Sequence, residues 1–455
     1  MSSDLGAVEM TGQQEQAVDK VNDWYHNSSG GQVFRLFGYA GTGKTTLARI
    51  IVEQLGIRGR GGNYEEYDEE SGRWIERPGV PPVLYAAYTG KAAYVLRTKG
   101  ATGAGTVHSL IYTPVEKART QLDELRKQFE TETDSDQQAI LRKKIHLEEI
   151  KLAQPGFVLK EDSDLEHASL LVLDEVSMIG EKMAHDLLSF GTRLLVLGDP
   201  AQLPPVDGGG YFINHAPNYL LTEIHRSALD SPVTRIATAI RQSPPEDRTL
   251  GVSGIDTDSG RWPRLTEDLL LEFDQILVGT NKLRWNLIHK IRALYGLTGP
   301  VPLEGDRIIV LANNPEAAVF NGQMFTVAAC RPSDTQPDVL HMLVFDDDTQ
   351  PRMLNVWACG FENLDGEKLA KRNGRSRIVA ATFGQAITVH KAQGSQWDNV
   401  LVVDESGTFA HIARKENQAL GPAAADIEAH ITARRWLYTA ATRAAERVVI
   451  VPRGH

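Results

Sequence analysis

Residues Gly38 to Thr45 read GYAGTGKT. They follow the apolar, β-rich run Val33 to Phe37 and precede a stretch that places Leu47, Ile50, Ile51 and Leu55 on one helical face. The pattern G-x-x-x-x-G-K-[ST] between a strand and a helix is a P-loop. It constrains the fold strongly, because the cradle works only where a buried strand delivers a tight loop to a helix N-terminus. Glycines let the backbone wrap so that its N–H groups face phosphate oxygens. The Lys44 amine reaches the β- and γ-phosphates, and the Thr45 hydroxyl offers a ligand to Mg²⁺. Gly38, Gly41, Thr42, Gly43, Lys44, Thr45 and Thr46 are therefore the candidate nucleotide cradle. A chance glycine-rich turn would lack this strand–loop–helix setting. The motif implies nucleoside triphosphate binding and is silent about what the energy drives.

Further strand runs at Val83 to Ala87, Leu170 to Leu173 and Leu194 to Leu197 alternate with helical patterns. That alternation predicts an α/β fold, a parallel sheet covered by helices. A second α/β region begins near Leu220, with strands at Ile276 to Val278 and Ile308 to Leu311, and resumes at Ile387, Val400 and Val448. Between its halves, Phe325 to Trp357 switches to short alternating strands and turns, the pattern of a small β-barrel-like insertion. Residues 56–82 read as a surface insertion, with a hairpin through Tyr64, Tyr67 and Trp74. Thr113 to Gln154 reads as a charged helical hairpin: Leu122, Leu125 and Phe129 fit one helix, and Leu141, Ile145 and Leu152 another. Ser135 and Gln138 between them have capping-box spacing. A solvated structural arm explains that hairpin as well as a functional one does.

The 455 residues exceed one ordinary core, which predicts two to four domains. No apolar run approaches a membrane span, and MSSDLGAVEM lacks the apolar core of a signal peptide. Only two cysteines, Cys330 and Cys359, are present, too few for a disulfide framework or a four-thiolate zinc site; a reducing cytoplasm fits best. The net charge of −11 argues against a protein coated in nucleic acid, yet leaves room for a local basic channel, since phosphate contacts follow local potential.

LVLDE at Leu171 to Glu175 ends an apolar strand in Asp174 and Glu175, a metal-ligand carboxylate followed by a base for water. Its position after the P-loop suits a neighbouring strand of the same sheet. VLVVDES at Val400 to Ser406 says nearly the same thing. It lies in the second α/β region, which has no P-loop of its own, so Asp404 and Glu405 are read as the same fold without the chemistry.

LGDPAQLPPV (Leu197 to Val206) resembles motif III of superfamily 1 helicases. YTGKAA (Tyr88 to Ala93), TVHSL (Thr106 to Leu110) and LTEIHR (Leu221 to Arg226) are similar to the RecD-like and Dda-like branch, superfamily 1B. AITVHKAQGSQW (Ala386 to Trp397) and WLYTAATRA (Trp436 to Ala444) resemble its motifs V and VI, and DRIIVLANNPEAAVFNGQMFTV resembles its approach to a small SH3-like barrel. The resemblance runs in family order from Thr11 to Arg443. It implies two RecA-like domains. Residues 1–110 and 166–219 would form the first, interrupted by a helical or pin insertion at 111–165. Residues 220–324 and 381–455 would form the second, interrupted by an SH3-like β-barrel insertion at 325–380.

The same resemblance implies roles. Gln14 would read adenine, Lys44 and Thr45 would bind phosphates and Mg²⁺, Asp174 would hold the metal and Glu175 would activate water. Gln202 would sense the γ-phosphate, with Gly394 beside the nucleotide. Arg226 and Arg443 would reach in from the second domain. Isolated arginines usually form solvated salt bridges; inside these motifs an arginine finger is the better reading, and it makes hydrolysis depend on cleft closure. The family usually has Glu after QGS, where this chain has Gln396, so no ionic role is assigned there.

Thr89, Gly90, Lys91, Thr106, His108, Thr388 and His390 match the single-strand track, although a His or Thr in such places is often a packed structural residue. The basic run KLAKRNGRSR (Lys368 to Arg377) is a solvated loop or a DNA-facing one, and Phe157 is either a wedge or an anchor for its insertion. The expected protein is an ATP-dependent, Mg²⁺-requiring 5′→3′ DNA helicase and a monomeric motor. Its partners would be single-stranded DNA, single-strand/duplex junctions, and replication or recombination proteins, with no membrane. The rival is a DNA-stimulated ATPase acting as a switch without processive unwinding.

Overall fold

The computed structural model describes residues 10–453 apart from 28, 58–63, 69–72, 78–79, 114–124, 130–137, 139–140, 143–144, 146–157, 161, 205–209, 225–229, 254, 257–258, 315, 346–350 and 374–376. Apolar strands buried on both faces need helices above and below, and two parallel sheets follow from that requirement. In the first, the order from one edge is Tyr219–Leu221, Val33–Gly38, Arg193–Gly198, Leu170–Asp174, Val83–Ala87 and Gly105–Thr106, all parallel. The helix Lys44–Leu55 covers it with Leu47, Ala48, Ile51 and Leu55, while Ile50 is only half-buried. Ahead of it, Thr11 and Gln14 form a reciprocal capping box that starts the helix Gly12–His26.

Two expectations change in this sheet. The Asp174 strand does not neighbour the P-loop strand, because Arg193–Gly198 pairs with both and lies between them. All three strands run the same way, so their C-terminal ends still share one rim. The first domain also extends past residue 219, since Leu36–Gly38 pair in register with Tyr219–Leu221.

The second sheet runs Ile255–Asp256, Ser259–Arg261, Ala444–Pro452, Trp397–Asp404, Gln275–Val278, Ala386–Thr388. It is parallel except for the first pair. Alternate residues of Trp397–Asp404 enter different cores: Leu401 and Val403 pack with the insertion side, Val400 and Val402 with Trp436 and Leu437. These two sheets are the two RecA-like domains.

A third six-stranded sheet holds the insertion, ordered Ile378–Val379, Arg352–Trp357, Val339–Phe345, Met324–Pro332, Arg307–Val310, Ala381–Phe383. It is antiparallel except where Ile378–Val379 meets Arg352–Trp357. Arg307–Val310 and Ala381–Phe383 pair with each other here, so the strand expected in the second α/β sheet belongs to the insertion, which reaches beyond 325–380 at both ends. Both strands are almost wholly buried and thus carry no alternation to mark them as insertion strands. No pairing among the described residues joins the sheet's two edges into a barrel.

Buried ion pairs fasten the insertion to its host. Arg292 holds Asp306 through Nε–Oδ1 at 2.8 Å and Nη2–Oδ2 at 3.0 Å, and Gln385 donates to the same carboxylate at 2.7 Å. Arg284 pairs with Glu367, which also accepts from Thr382 at 2.9 Å.

Of the surface arms, Tyr64–Asp68 and Arg73–Arg77 form the expected antiparallel hairpin, with Tyr67 opposite Trp74. Residues 125–129 are helical and the Arg142 guanidinium lies 5.4 Å from the Phe129 ring centre, while Leu122, Ser135, Leu152 and Phe157 lie outside the described residues. Tyr112–Thr113 pairs with Val158–Leu159 at the base of that arm. The basic run begins on the helix Leu364–Asn373 rather than in a loop. Among the described residues no helix is long and apolar enough to cross a membrane.

Candidate nucleotide site and nucleic-acid track

The C-terminal rim of the first sheet opens into a cavity of about 260 Å³ lined by Gly41, Gly43, Lys44, Thr45, Thr46, Asp174, Glu175, Asp199 and Gln202. Positive φ at Gly41 (81°) and Gly43 (75°) produces the turn that an L side chain would strain. At Gly38 a Cβ would meet Thr42 Oγ1 at 2.6 Å and Leu221 Cβ at 2.9 Å, so the strand-to-loop exit also requires glycine. Lys44 Nζ donates to the carbonyls of Gly38 at 2.7 Å and Tyr39 at 3.1 Å, holding its charge over the loop.

Thr45 Oγ1 donates to Asp174 Oδ2 at 2.8 Å, which brings the two expected metal ligands together. A hydroxyl and a carboxylate are hard oxygen donors that suit Mg²⁺, an ion usually held by one or two protein groups plus substrate phosphates. No cluster of three His, Cys, Asp or Glu residues suited to an all-protein metal cage occurs among the described residues.

Glu175 adopts left-handed φ (53°), a conformation that costs a non-glycine residue about 1–3 kcal/mol and is tolerated where a site demands it. Its N–H donates to Asp174 Oδ1 at 2.8 Å. Burial raises the Glu175 carboxyl above the usual range, the Arg443 charge pulls it back, and Asp174 pushes it up again. Arg443 therefore acts on Glu175 from the other domain. It is buried, and its described hydrogen bonds go to the carbonyls of Thr439 and Ser395 and to the Thr442 hydroxyl. Gln202 is buried with its Oε1 unpartnered and lines the cavity.

Gln14 commits its amide to Thr42 O (3.1 Å) and to the Thr11 N–H (3.0 Å), bracing the P-loop. Gly394 lies on the domain boundary, where a Cβ would meet Thr89 Oγ1 at 2.6 Å. Arg226 lies outside the described residues; the preceding Thr222 and Glu223 are tied by their N–H groups to Gln13 Oε1, both at 2.9 Å.

Asp199 and Tyr438 were missed by sequence reasoning. Asp199 ends the apolar run LLVLG, the same signal that identified Asp174, and it accepts from Tyr438 of the second domain at 2.7 Å. Burial raises the Asp199 carboxyl, with Lys44 opposing.

The expected strand-track residues occupy the edges of the two parallel sheets. Thr89, Thr106 and Thr388 each start a helix directly after an edge or near-edge strand. The hydroxyls of Thr89 and Thr106 accept from Ala92 N–H at 3.2 Å and Ser109 N–H at 3.1 Å. Thr106 and Thr388 are buried, which is the packed role that such residues often have. His108 lies between the rings of Tyr88 and Tyr112, and His390 against Phe409; burial lowers both imidazoles, so they are neutral at pH 7. Lys91 Nζ is 5.8 Å from the Trp397 ring centre in the other domain. Gly90 lets Phe320 approach so closely that a Cβ would lie 2.2 Å from the Phe320 Cβ.

The second acidic pair is structural. Glu405 accepts from Gly279 N–H and Thr280 N–H, both at 2.8 Å, and pairs with Arg453 at 3.0 Å; Asp404 pairs with Arg261 at 3.1 Å. Gln396 donates to Ala444 O at 3.4 Å.

A family model described as an AAA domain matches residues 9–252, more than half of the 455-residue chain. The ATP-dependent RecD2 DNA helicase of Deinococcus radiodurans is 27% identical over 258 residues, covering 51% of this chain and 32% of that protein. The ATP-dependent DNA helicase dda of Enterobacteria phage T4 is 27% identical over 216 residues, covering 45% of this chain and 36% of that protein. The chain thus matches about a third of the length of each curated relative. A solved structure of two coordinating Pif1 helicases at forked double-stranded DNA aligns with a TM-score of 0.48 at 17% identity, over 97% of this chain and 92% of that one. The chain belongs to this AAA-domain family, on its RecD- and Dda-like superfamily 1B branch.

Proposed function

We propose that this chain is an ATP-dependent DNA helicase that moves 5′→3′ on single-stranded DNA and opens duplex ahead of it. The observation that carries the reading is Arg443. Its guanidinium is buried just past the second domain's helix Pro422–Ala441, whose Tyr438 bonds Ala40 of the P-loop and Asp199, and its charge opposes the upward effect of burial on Glu175. Charge developing on a transferring phosphoryl group is stabilised only while the domains are together, so hydrolysis is tied to closure. Mg²⁺ held by Thr45 and Asp174 would neutralise phosphate charge. Glu175, with its carboxyl raised by burial, takes the proton of the attacking water, and Gln202 orients that water. Release of phosphate loosens the cleft, and alternating grip on the strand by the two domains gives directional steps.

The RecD2 and dda relatives, both ATP-dependent DNA helicases, support the activity, and the edge positions of Thr89, Lys91, Thr388 and His390 support a strand crossing both domains. The experiment is unwinding of identical duplexes with either a 5′ or a 3′ single-stranded tail. Opening of the 5′-tailed substrate alone is expected; opening of the 3′-tailed one alone overturns the polarity. DNA-stimulated ATP hydrolysis without unwinding of either would favour the switch-like ATPase.

A further inference from the structure

The helix Pro422–Ala441 ends in a segment buried from Trp436 to Ala441, yet two of its residues present hydroxyls to the other domain. The Tyr438 hydroxyl accepts from the Ala40 N–H of the P-loop at 2.9 Å and donates to Asp199 Oδ2 at 2.7 Å. The phenol thereby accepts one hydrogen bond and donates its one proton, in a polarised chain from amide to phenol to carboxylate. Next to it, Thr439 Oγ1 accepts from Leu203 N–H at 2.8 Å, and the Thr439 carbonyl accepts from Arg443 Nε at 3.2 Å. A second contact from the same domain falls on the adjacent P-loop residue, where the Arg241 guanidinium stacks 3.9 Å from the Tyr39 ring centre. Consecutive P-loop residues, Tyr39 and Ala40, are thus both held from across the cleft.

We infer that Tyr438 is a positioning residue, whose hydrogen bonds to Ala40 and Asp199 set the helix end that aims Arg443 at Glu175. The inference deepens the reading of the cleft as an ATP hydrolysis site and rests on it. A P-loop that shifts on nucleotide binding moves Ala40, and Ala40 moves the phenol. The motion reaches Arg443 through Thr439 without crossing the cavity. Asp199 serves as the fixed end of the strut, buried just past the strand Arg193–Gly198. A hydroxyl that merely filled the core would affect folding and leave the turnover of the folded enzyme unchanged.

The test uses the full chain with Mg-ATP and saturating single-stranded oligothymidine. Tyr438→Phe removes one oxygen; it is expected to lower kcat about tenfold or more while KM for ATP stays within about threefold. The decisive arm is a cycle with Arg443→Lys. If Tyr438 acts through Arg443, adding Tyr438→Phe to Arg443→Lys costs less than about twofold more. Thr439→Val, which removes the acceptor for Leu203 N–H, is expected to lower kcat in the same direction and carries the test should the Tyr438 variant fail to fold. An unchanged kcat in Tyr438→Phe, or a full tenfold loss persisting in the Arg443→Lys background, overturns the inference. A wild-type chain that hydrolyses no ATP refutes the functional reading itself; an active wild type beside an indifferent Tyr438→Phe refutes only the coupling.

Discussion

Gly90→Ala separates what each domain tolerates from what the closed pair tolerates. Gly90 opens the helix Gly90–Thr98 behind the Thr89 cap, and its φ is not among the positive values. Inside the first domain, alanine should be neutral or stabilising by up to about 1 kcal/mol. Across the cleft, the new Cβ would lie 2.2 Å from Phe320 Cβ and 2.7 Å from its Cγ. Carbon atoms pack at about 3.5–4.0 Å, so the domains must part locally by more than about 1 Å. Overpacking of this kind costs about 1–3 kcal/mol, here borne only by the closed arrangement. That corresponds to a loss of roughly 5- to 150-fold in closed population, and in turnover that depends on it. Thermal unfolding should stay at or above wild type while DNA-stimulated ATP turnover falls by that factor. Phe320→Gly, which deletes the opposing Cβ, should restore turnover, whereas Phe320→Ala keeps that atom and should not. Wild-type turnover in Gly90→Ala, or equal rescue by both Phe320 variants, would refute the reasoning.

Lys44→Ala should abolish unwinding through lost nucleotide binding, and Glu175→Gln should cut hydrolysis by about 10²–10⁴ with ATP still bound, as read by turnover and equilibrium nucleotide binding. Glu405→Ala should instead destabilise the chain by about 1–3 kcal/mol in denaturant titration, because it strips the half-buried Gly279 and Thr280 N–H groups of their acceptor. An equal loss of stability in Glu175→Gln would contradict that division of labour. Burial lowers His108 in the folded state, so the unfolded chain binds the proton first as pH falls. The corresponding stability is present above about pH 6.5 and is lost below it, and His108→Asn should flatten the decline in melting temperature between pH 7.5 and 5.5.

The nucleotide half of the site is legible from sequence because its chemistry is local. Gly38 to Thr45 is one loop, and Asp174 with Glu175 ends one strand. Strand order is less accessible: nothing in Leu194 to Leu197 says that this strand lies between the P-loop and Asp174. The insertion's true edges were hidden for a related reason. Ile308 and Ile309 are buried like α/β strand residues, and only pairing with Ala381–Phe383 assigns them to the third sheet. Tyr438 and Asp199 are 239 positions apart, and a hydroxyl on an otherwise buried helix end gives no periodic sign of its partner.

The unequal fates of Asp174–Glu175 and Asp404–Glu405 set the stoichiometry of the machine. In the second sheet the glutamate is already consumed by two amides and Arg453, and the sequence there carries no second G-x-x-x-x-G-K-[ST] loop. On the proposed reading each chain would hold one nucleotide, and a full open–close cycle would have a single irreversible event to drive it. Counting bound nucleotide per chain at saturation should give one. On that reading the second domain would contribute no fuel of its own; it would supply the arginine that decides when the first domain's nucleotide is spent.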